Sequence, residues 1–586
     1  MYETRLARVF TLFGLCLGAL AVRAFAVQVA GRERILKEHE NRVHGRFVVA
    51  PRRGDIRWAD GSPIASDTPG WSVQIDVDAF FAPRWRCGVC SAVTRRNDEP
   101  SRCPECGAEH AAVAVAPPDG AELARLCGVT EKELGDALTA ADAEHVAHPE
   151  FGRHELFQRV DRDAAVAVAL AARRFPGVTV KARALRDVDP AARLLVGTLR
   201  DPSREDAEEL TSPARTALGL RPYSFAEVYA LRFGRSGLEA AFDDRLRGEP
   251  GVSRRAARKD GRPQPPAVVV SVADGAPLAT TLRRDVQLAA EDVVASEPEA
   301  SAAAAVVVDL SDGAVVALSA RSNDGLHHAV CAIRPGSVFK IVTALALLES
   351  GISPDEAVAC AGKHPADGQY KCDDDHGAVS FRDAFAKSCN TYFAKMAERV
   401  GVDAMQRAYR ELGFDDDHWL HLRGSPSGLD PQWDGGSRWH DADLAKIGIG
   451  QGKALVSPLQ VAIAYARVAA GGRRLTPYVV GDEAPPAAET IPSIAQIAPL
   501  LRDAARRVVT SGTGAGVPGL GEIEAAGKSG TGDVSATVKS NNAWFVAFAP
   551  ASAPRYAAVV VFERVAEHGA SMAGPQTARL LAEALK

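Results

Sequence analysis

Ser337-Val338-Phe339-Lys340 sets a hydroxyl and an amine three positions apart, so on a helix both side chains share one face. Two more fragments follow in order, Ser388-Cys389-Asn390 and Lys528-Ser529-Gly530-Thr531. A serine with a lysine at this spacing suits nucleophilic acyl transfer in which an amine, not an imidazole, takes the hydroxyl proton. Each fragment alone is weak, because Ser-x-x-Lys arises by chance in many chains. Here, however, Lys340 is the only lysine with a serine three positions before it. The specificity lies in the joint order: about 50 residues from the first fragment to the second, then about 140 to the third. Unrelated surface serines and lysines would not produce it.

The flanking residues say how the nucleophile is held. Pro335-Gly336 interrupts the chain, and the apolar run from Ile341 to Leu348 predicts a buried helix that starts at Ser337 and ends near Gly351. At a helix start, unpaired N–H groups and the positive dipole end favour a developing oxyanion. A serine hydroxyl is a poor nucleophile at neutral pH, so Lys340 must be neutral for part of the cycle. Burial and the positive charge of Lys528 would both lower its pKa.

With these motifs in hand, the chain resembles the class B penicillin-binding proteins, membrane-anchored D,D-transpeptidases that cross-link peptidoglycan. Arg53-Gly54-Asp55-Ile56 with Asp60-Gly61, and Gly237-Leu238-Glu239 with Leu246-Arg247-Gly248 and Gly251, resemble signatures of that family's N-terminal module. Thr281-Leu282 with Gln287 and Glu291 resembles the lead-in to its transpeptidase domain. Gly448-Ile449-Gly450-Gln451-Gly452 with Ser457-Pro458-Leu459-Gln460, and Trp544 to Pro550, resemble its later landmarks. The match runs from about residue 45 to the end. It departs at Trp58-Ala59, where an Asp-Arg-x pattern is usual, and at Ser529, where threonine is commoner. The resemblance implies that Ser388 relays a proton and that Asn390 holds the donor peptide. It also implies that Lys528, Ser529, Gly530 and Thr531 bind the substrate on an edge strand, with the Ser337 and Thr531 N–H groups as oxyanion donors. Peptidoglycan stem peptides and β-lactams are the expected ligands, and a glycosyltransferase of the shape–division–sporulation family is the expected partner. No acylation or deacylation glutamate can be located, which leans away from a β-lactamase. A D,D-carboxypeptidase shares the motifs, and a β-lactam sensor or a catalytically silent scaffold remains an alternative from another class. A sensor, however, would carry a cytoplasmic effector domain.

Composition fits. The 586 residues are 46% hydrophobic, enough for two or three domains with real cores. A net charge of −5 gives no reason to expect nucleic acid as a partner. Val9 to Ala30 is largely apolar, with Arg5 and Arg8 before it and Arg23 within it. This predicts an uncleaved single-pass anchor with its N-terminus inside the cell, leaving residues 1–8 as a cytoplasmic tail and the rest extracytoplasmic. A buried soluble helix is the alternative. The expected architecture is then a transmembrane helix at 9–30, an α+β pedestal at 31–265 and an α/β-sandwich transpeptidase at 266–586. The Gly/Pro-rich segment from Gly261 to Pro266 marks the boundary. Within the last domain, Ala304–Leu310 and Ala314–Ala320 predict a hairpin around Ser311-Asp312-Gly313, strands return at 522–531, 541–549 and 556–563, and a helix closes at 575–585.

Ten cysteines remain to be explained. Cys87-x2-Cys90 and Cys103-x2-Cys106 are spaced as the knuckles of a Cys₄ zinc ribbon over 85–110; two disulfides are the alternative. The family does not normally carry such an insert. A second group, Cys360, Cys372, His376 and Cys389, brackets the approach to Ser388 and could hold a closed structural zinc. A Cys360–Cys372 disulfide with Cys389 as a buried thiol is the competing reading. This segment resembles the elongation-type branch of the family, where similarly placed ligands can bind zinc; division remains the alternative pathway. Cys16, Cys127 and Cys331 read as packing residues.

Overall fold

The computed structural model describes residues 46–586 apart from 82–83, 88, 90–92, 96–101, 104–105, 107, 110–111, 116–118, 148–153, 218, 255–266, 363–370, 373, 416–440, 484–486 and 535–539. The expected anchor at 9–30, its 1–8 tail and Cys16 lie outside the described residues. Among the described residues, no helix is long and apolar enough to cross a membrane. The chain forms two compact units, Ala65–Val188 and the remainder on either side of it.

The smaller unit is built on two long strands. Pro63–Ile75 and Val178–Val188 pair antiparallel from Ala65 opposite Val188 to Ile75 opposite Val178, and His154–Val160 flanks the first of them. Helices Gly120–Cys127, Glu131–Ala147 and Arg162–Ala171 supply the apolar partners, and Val73, Ile75, Leu123, Leu156, Val168 and Phe175 share one core. The first helix has clear start and stop signals. Asp119 accepts the N–H groups of Ala121 and Glu122, and Gly128 closes the other end at φ 72°. A separate three-stranded sheet, with Arg84–Cys87 between Val93–Arg95 and Ala112–Val115, carries the first cysteine group.

In the larger unit, two motifs some 180 residues apart in sequence meet as a buried ion pair. Arg53 bonds Glu239 through its Nε, Asp243 Oδ1 at 2.7 Å and the Arg232 carbonyl at 3.0 Å. Charges so buried are tolerated only when each donor is matched, as here. Gly54 donates to the Leu246 carbonyl at 2.8 Å, and a Cβ on it would overlap the Ala276 carbonyl.

The rest of this unit is a five-stranded antiparallel sheet between helices. Its strands are β1 (Ala302–Asp309), β2 (Val315–Ser322), β3 (Ala526–Asp533), β4 (Asn541–Ala549) and β5 (Tyr556–Val565), in the order β2-β1-β5-β4-β3. Ala305, Phe545 and Val560 point to one face, where they share a core with α1 (Arg284–Ala295) and the chain's last helix, Gly569–Leu585. The other face meets Pro458–Ala469, a helix buried along its whole length. Both faces are covered, so β1, β4 and β5 read as continuous apolar runs and not as alternating ones. The predicted hairpin, strands and final helix are all present, with two shifts. The strand predicted at 522 begins at Ala526, because Glu524 takes a left-handed turn at φ 50°. The last helix starts at Gly569 and runs through Pro575, six residues earlier than the sequence reading.

Candidate active site

Three elements converge on Lys340. The first is the turn before α2 (Lys340–Glu349). The sequence predicts an α-helix from Ser337, but Gly336–Phe339 form one turn of 3₁₀ helix and the α-helix begins at Lys340. The cause is Gly336, held at φ 57° with its N–H on the Gly450 carbonyl at 3.0 Å, where an added Cβ would overlap the Thr531 carbonyl. Only a glycine fits there. Ser337 is half-buried, and Lys340 is fully buried. Helix α2 is apolar around most of its circumference and is buried from Lys340 to Leu347, which fixes the lysine stem.

The second element is the break between helix Phe381–Ala386 and α3 (Asn390–Leu412). Ser388 sits there in left-handed backbone, φ 57°, rare for a residue with a Cβ. That geometry turns three acceptors toward one amine. Lys340 Nζ donates to the Ser388 carbonyl at 2.7 Å, Ser388 Oγ at 3.1 Å and Asn390 Oδ1 at 2.7 Å. Three acceptors match the three donors of an ammonium. One turn into α3, the Phe393 ring lies 5.6 Å from the same nitrogen, a cation–π contact.

The third element is β3, at the edge of the sheet, with β4 on one side and the 336–339 turn on the other. Gly530 and Gly532 permit this approach, since side chains there would strike the Pro335 and Arg334 carbonyls. Lys528 is fully buried and donates to the Ser529 carbonyl at 2.9 Å. Burial first, and the charge of Lys340 second, hold its pKa well below the ordinary lysine value. Ser529 Oγ meets Thr513 Oγ1 at 2.7 Å, and Thr531 Oγ1 meets His568 Nδ1 at 3.4 Å. Gln451 joins β3 to the landmark loop before it: its Nε2 donates to the Thr531 carbonyl at 3.2 Å, and its Oε1 accepts from the Asp533 N–H at 3.3 Å. Thr513 and His568 carry no local motif, so the sequence offered no signal for them. Gln451 lay inside a quoted landmark but had no assigned role.

The second cysteine group sits directly behind this site. Cys360, Cys372, His376 and Cys389 bring their ligand atoms within 4.8 Å of one another. His376 Nδ1 is 3.7 Å from Cys360 Sγ and 3.4 Å from Cys372 Sγ. The three thiols are free and buried. Cys372 Sγ accepts the Asn390 N–H at 3.2 Å, while Asn390 Nδ2 donates to the Lys371 carbonyl at 3.2 Å. A hydrogen bond from Cys389, aided by that N–H, pulls the Cys372 thiol down to about 5 against the effect of burial. In the first group, Cys87, Cys103 and Cys106 lie within 4.8 Å of one another, while Cys90 is outside the described residues. Cys127 and Cys331 are buried, the Cys331 thiol donating to the His327 carbonyl at 3.6 Å, and burial raises Cys127 to about 11.

Comparison with known proteins agrees with this arrangement. Residues 303–586 match the family model of the penicillin binding protein transpeptidase domain, and residues 48–280 that of the penicillin-binding protein dimerisation domain. The peptidoglycan D,D-transpeptidase PbpA of Mycobacterium tuberculosis is 31% identical over 269 residues, 41% of this chain and 52% of PbpA. The peptidoglycan D,D-transpeptidase MrdA of Acinetobacter baumannii is 30% identical over 274 residues, 41% of this chain and 40% of MrdA. Stage V sporulation protein D of Bacillus subtilis is 26% identical over 398 residues, 60% of each chain. The chain thus spans about half the length of the curated relatives it matches. Among solved structures, a chain from a peptidoglycan synthase complex that coordinates polymerization and crosslinking aligns at a TM-score of 0.61 and 21% identity, covering 99% of this chain and 98% of that one. A chain from a complex of penicillin-binding protein and MreC from Helicobacter pylori aligns at a TM-score of 0.64 and 17% identity, covering 92% and 98%. These two likenesses show the fold.

Proposed function

Because the chain belongs to the penicillin-binding protein family, with both its dimerisation and its transpeptidase domains, we propose that it is a peptidoglycan D,D-transpeptidase acting through a Ser337 acyl-enzyme. The observation that carries the reading is the Lys340 amine bonded to Ser388 Oγ and Asn390 Oδ1, with Lys528 close enough to feel its charge. The reading takes these three fragments, far apart in sequence, as one site.

In this reading Ser337 Oγ attacks the carbonyl of the penultimate D-alanine of a stem peptide. Its proton passes to neutral Lys340, and the C–N bond to the terminal D-alanine breaks. The 3.1 Å contact from Nζ to Ser388 Oγ offers a path to carry that proton to the leaving amine. An amine from a second stem then attacks the ester, and the proton route runs in reverse. The substrate backbone pairs with β3 as an added strand, and the N–H groups of Ser337 and Thr531 receive the oxyanion. The substrate's carboxylate would draw a proton onto Lys528, so recognition of the chain end is electrostatic. A β-lactam acylates the same serine because it resembles the D-alanyl-D-alanine end. A silent scaffold would have no need of the Lys340–Ser388–Asn390 contacts; a carboxypeptidase, with water as acceptor, would use them equally, and the dimerisation domain favours cross-linking.

Cys360, Cys372, His376 and Cys389 would hold a structural zinc. Sulfur and nitrogen at two corners of a tetrahedral zinc site lie about 3.6 Å apart, close to the spacings at His376. Its role would be to brace the Ser388–Asn390 turn, with no part in bond making. This segment supports a role in wall elongation over division. A single-pass membrane anchor with the catalytic unit outside the cytoplasm, and a glycosyltransferase of the shape–division–sporulation family as working partner, complete the proposal. The structural likeness to a chain of a peptidoglycan synthase complex is compatible with that partnership.

Labelled penicillin with peptide mass mapping tests the chemistry. One adduct on Ser337 is expected, lost in Ser337→Ala, and Lys340→Ala should slow labelling at least about 100-fold. An adduct that persists on another serine in Ser337→Ala overturns the assignment.

A further inference from the structure

Transpeptidation makes no use of the three-stranded sheet formed by Arg84–Cys87, Val93–Arg95 and Ala112–Val115. Strands this short need a stabilising core, and a segment of some 30 residues cannot enclose one of useful size. Of its described side chains, the buried apolar ones are Cys87, 4% exposed, and Cys103, 8% exposed. The thiols of both and that of Cys106 lie within 4.8 Å of one another.

The distances separate two kinds of cross-link. Cys87 Sγ and Cys106 Sγ are 3.7 Å apart. A disulfide requires about 2.05 Å. Two thiolates at corners of a tetrahedral zinc centre, each about 2.3 Å from the metal, lie about 3.8 Å apart. The backbone around them is shaped accordingly. The Val89 N–H points at Cys87 Sγ at 3.4 Å, a donor that would help to hold a thiolate in place. The Cys103 N–H bonds the Ala108 carbonyl at 2.8 Å, and Arg102 and Glu109 pair beside it as an isolated bridge.

We infer that Cys87, Cys103 and Cys106 are ligands of a structural zinc ion that braces this sheet. The three donors are all sulfur, the ligand type of structural zinc sites, so the metal braces structure. It is a second metal, separate from the one proposed behind Ser388, and it stands or falls independently of the acyl-transfer reading. Neither likeness to known domains depends on it.

The test uses the full-length chain in detergent, without reductant. Cys87, Cys103 and Cys106 should resist alkylation in the folded protein and become alkylated once zinc is stripped by a strong chelator, as read by peptide mapping. Cys103→Ser/Cys106→Ser should lower zinc by one equivalent per chain while penicillin labelling stays at the parent rate. Alkylation of the parent reads the site even if that variant misfolds. Thiols that stay blocked after chelation and open only with reductant would establish disulfides and end the proposal. Alkylation at the same rate before and after chelation would also end it, by showing no metal.

Discussion

At the scale of single residues, the site is a problem of two amines in one buried space. Lys340 has three acceptors on its nitrogen; Lys528 has the Ser529 carbonyl and full burial beside it. Burial and the charge of Lys340 push Lys528 toward its neutral form. This makes Lys528 a linkage group. Unfolded, it keeps its proton up to about pH 10.4; folded, it gives the proton up far lower. Between those two values the unfolded chain binds one more proton, so the stability of the parent rises with pH by about 1.4 kcal/mol per pH unit from this group. Lys528→Met removes the slope. The variant should exceed the parent in stability at pH 7, and the advantage should shrink toward zero as the pH approaches 10.4, while penicillin labelling falls at every pH. Denaturant unfolding at three pH values reads it; a constant offset across that range would mean that Lys528 is charged in the fold. The two lysines were legible in sequence as to type and order. How Lys340 is held was not, because that depends on Ser388 adopting a left-handed turn that no local signal encodes.

At the scale of elements, the Ser388 turn is tied down from behind. The Asn390 N–H ends on Cys372 Sγ and its side-chain amide on the Lys371 carbonyl, so the segment carrying Cys372 sets where Asn390 Oδ1 meets Lys340. If zinc binds Cys360, Cys372, His376 and Cys389, stripping it frees that segment. His376→Ala should then lose one zinc, lower the melting temperature by several degrees and slow acylation by penicillin, with chelation of the parent doing the same. Scanning calorimetry with and without chelator checks this. A parent indifferent to chelator but destabilised by reductant would instead contain a Cys360–Cys372 bridge. The sequence made these four residues visible as a group because ligand chemistry restricts residue types. It hid their link to Asn390, which runs through one backbone N–H. Elements with strong one-dimensional signals, such as β4 and β5 with their apolar runs, were placed nearly to the residue. The start of the Ser337 helix was misplaced for a physical reason: Gly336 is gripped by Gly450 and Thr531, residues about 114 and 195 positions away, and the grip forces a 3₁₀ turn.

At the scale of the whole molecule, the sequence reading placed one boundary near residue 265, at a Gly/Pro-rich segment, whereas compactness divides the chain at 64/65 and 188/189. Composition cannot show the second division, because the chain crosses it inside two long paired strands that carry no linker signal. The smaller unit is therefore an insertion whose two ends meet. Asp189 donates its N–H to the Ile64 carbonyl at 2.7 Å, and the next pair along the ladder is Ala65 opposite Val188. Every residue assigned to acyl transfer, from Ser337 to Thr531, belongs to the larger unit, as does the Arg53–Glu239 pair that joins its two signature motifs. Replacing residues 66–187 by an Asn-Gly turn should close a short hairpin at Ala65 and Val188, since that dipeptide takes the backbone twist a two-residue connection needs. The shortened chain should fold, keep one penicillin adduct on Ser337 at a rate within about threefold of the parent, and hold one zinc fewer. Labelling kinetics and metal analysis on the purified protein read both. A folded chain, with its calorimetric transition intact, that no longer reacts with penicillin would show that the inserted unit acts on the active site from outside it. The smaller unit would then be part of the catalytic machinery, contrary to the division drawn here.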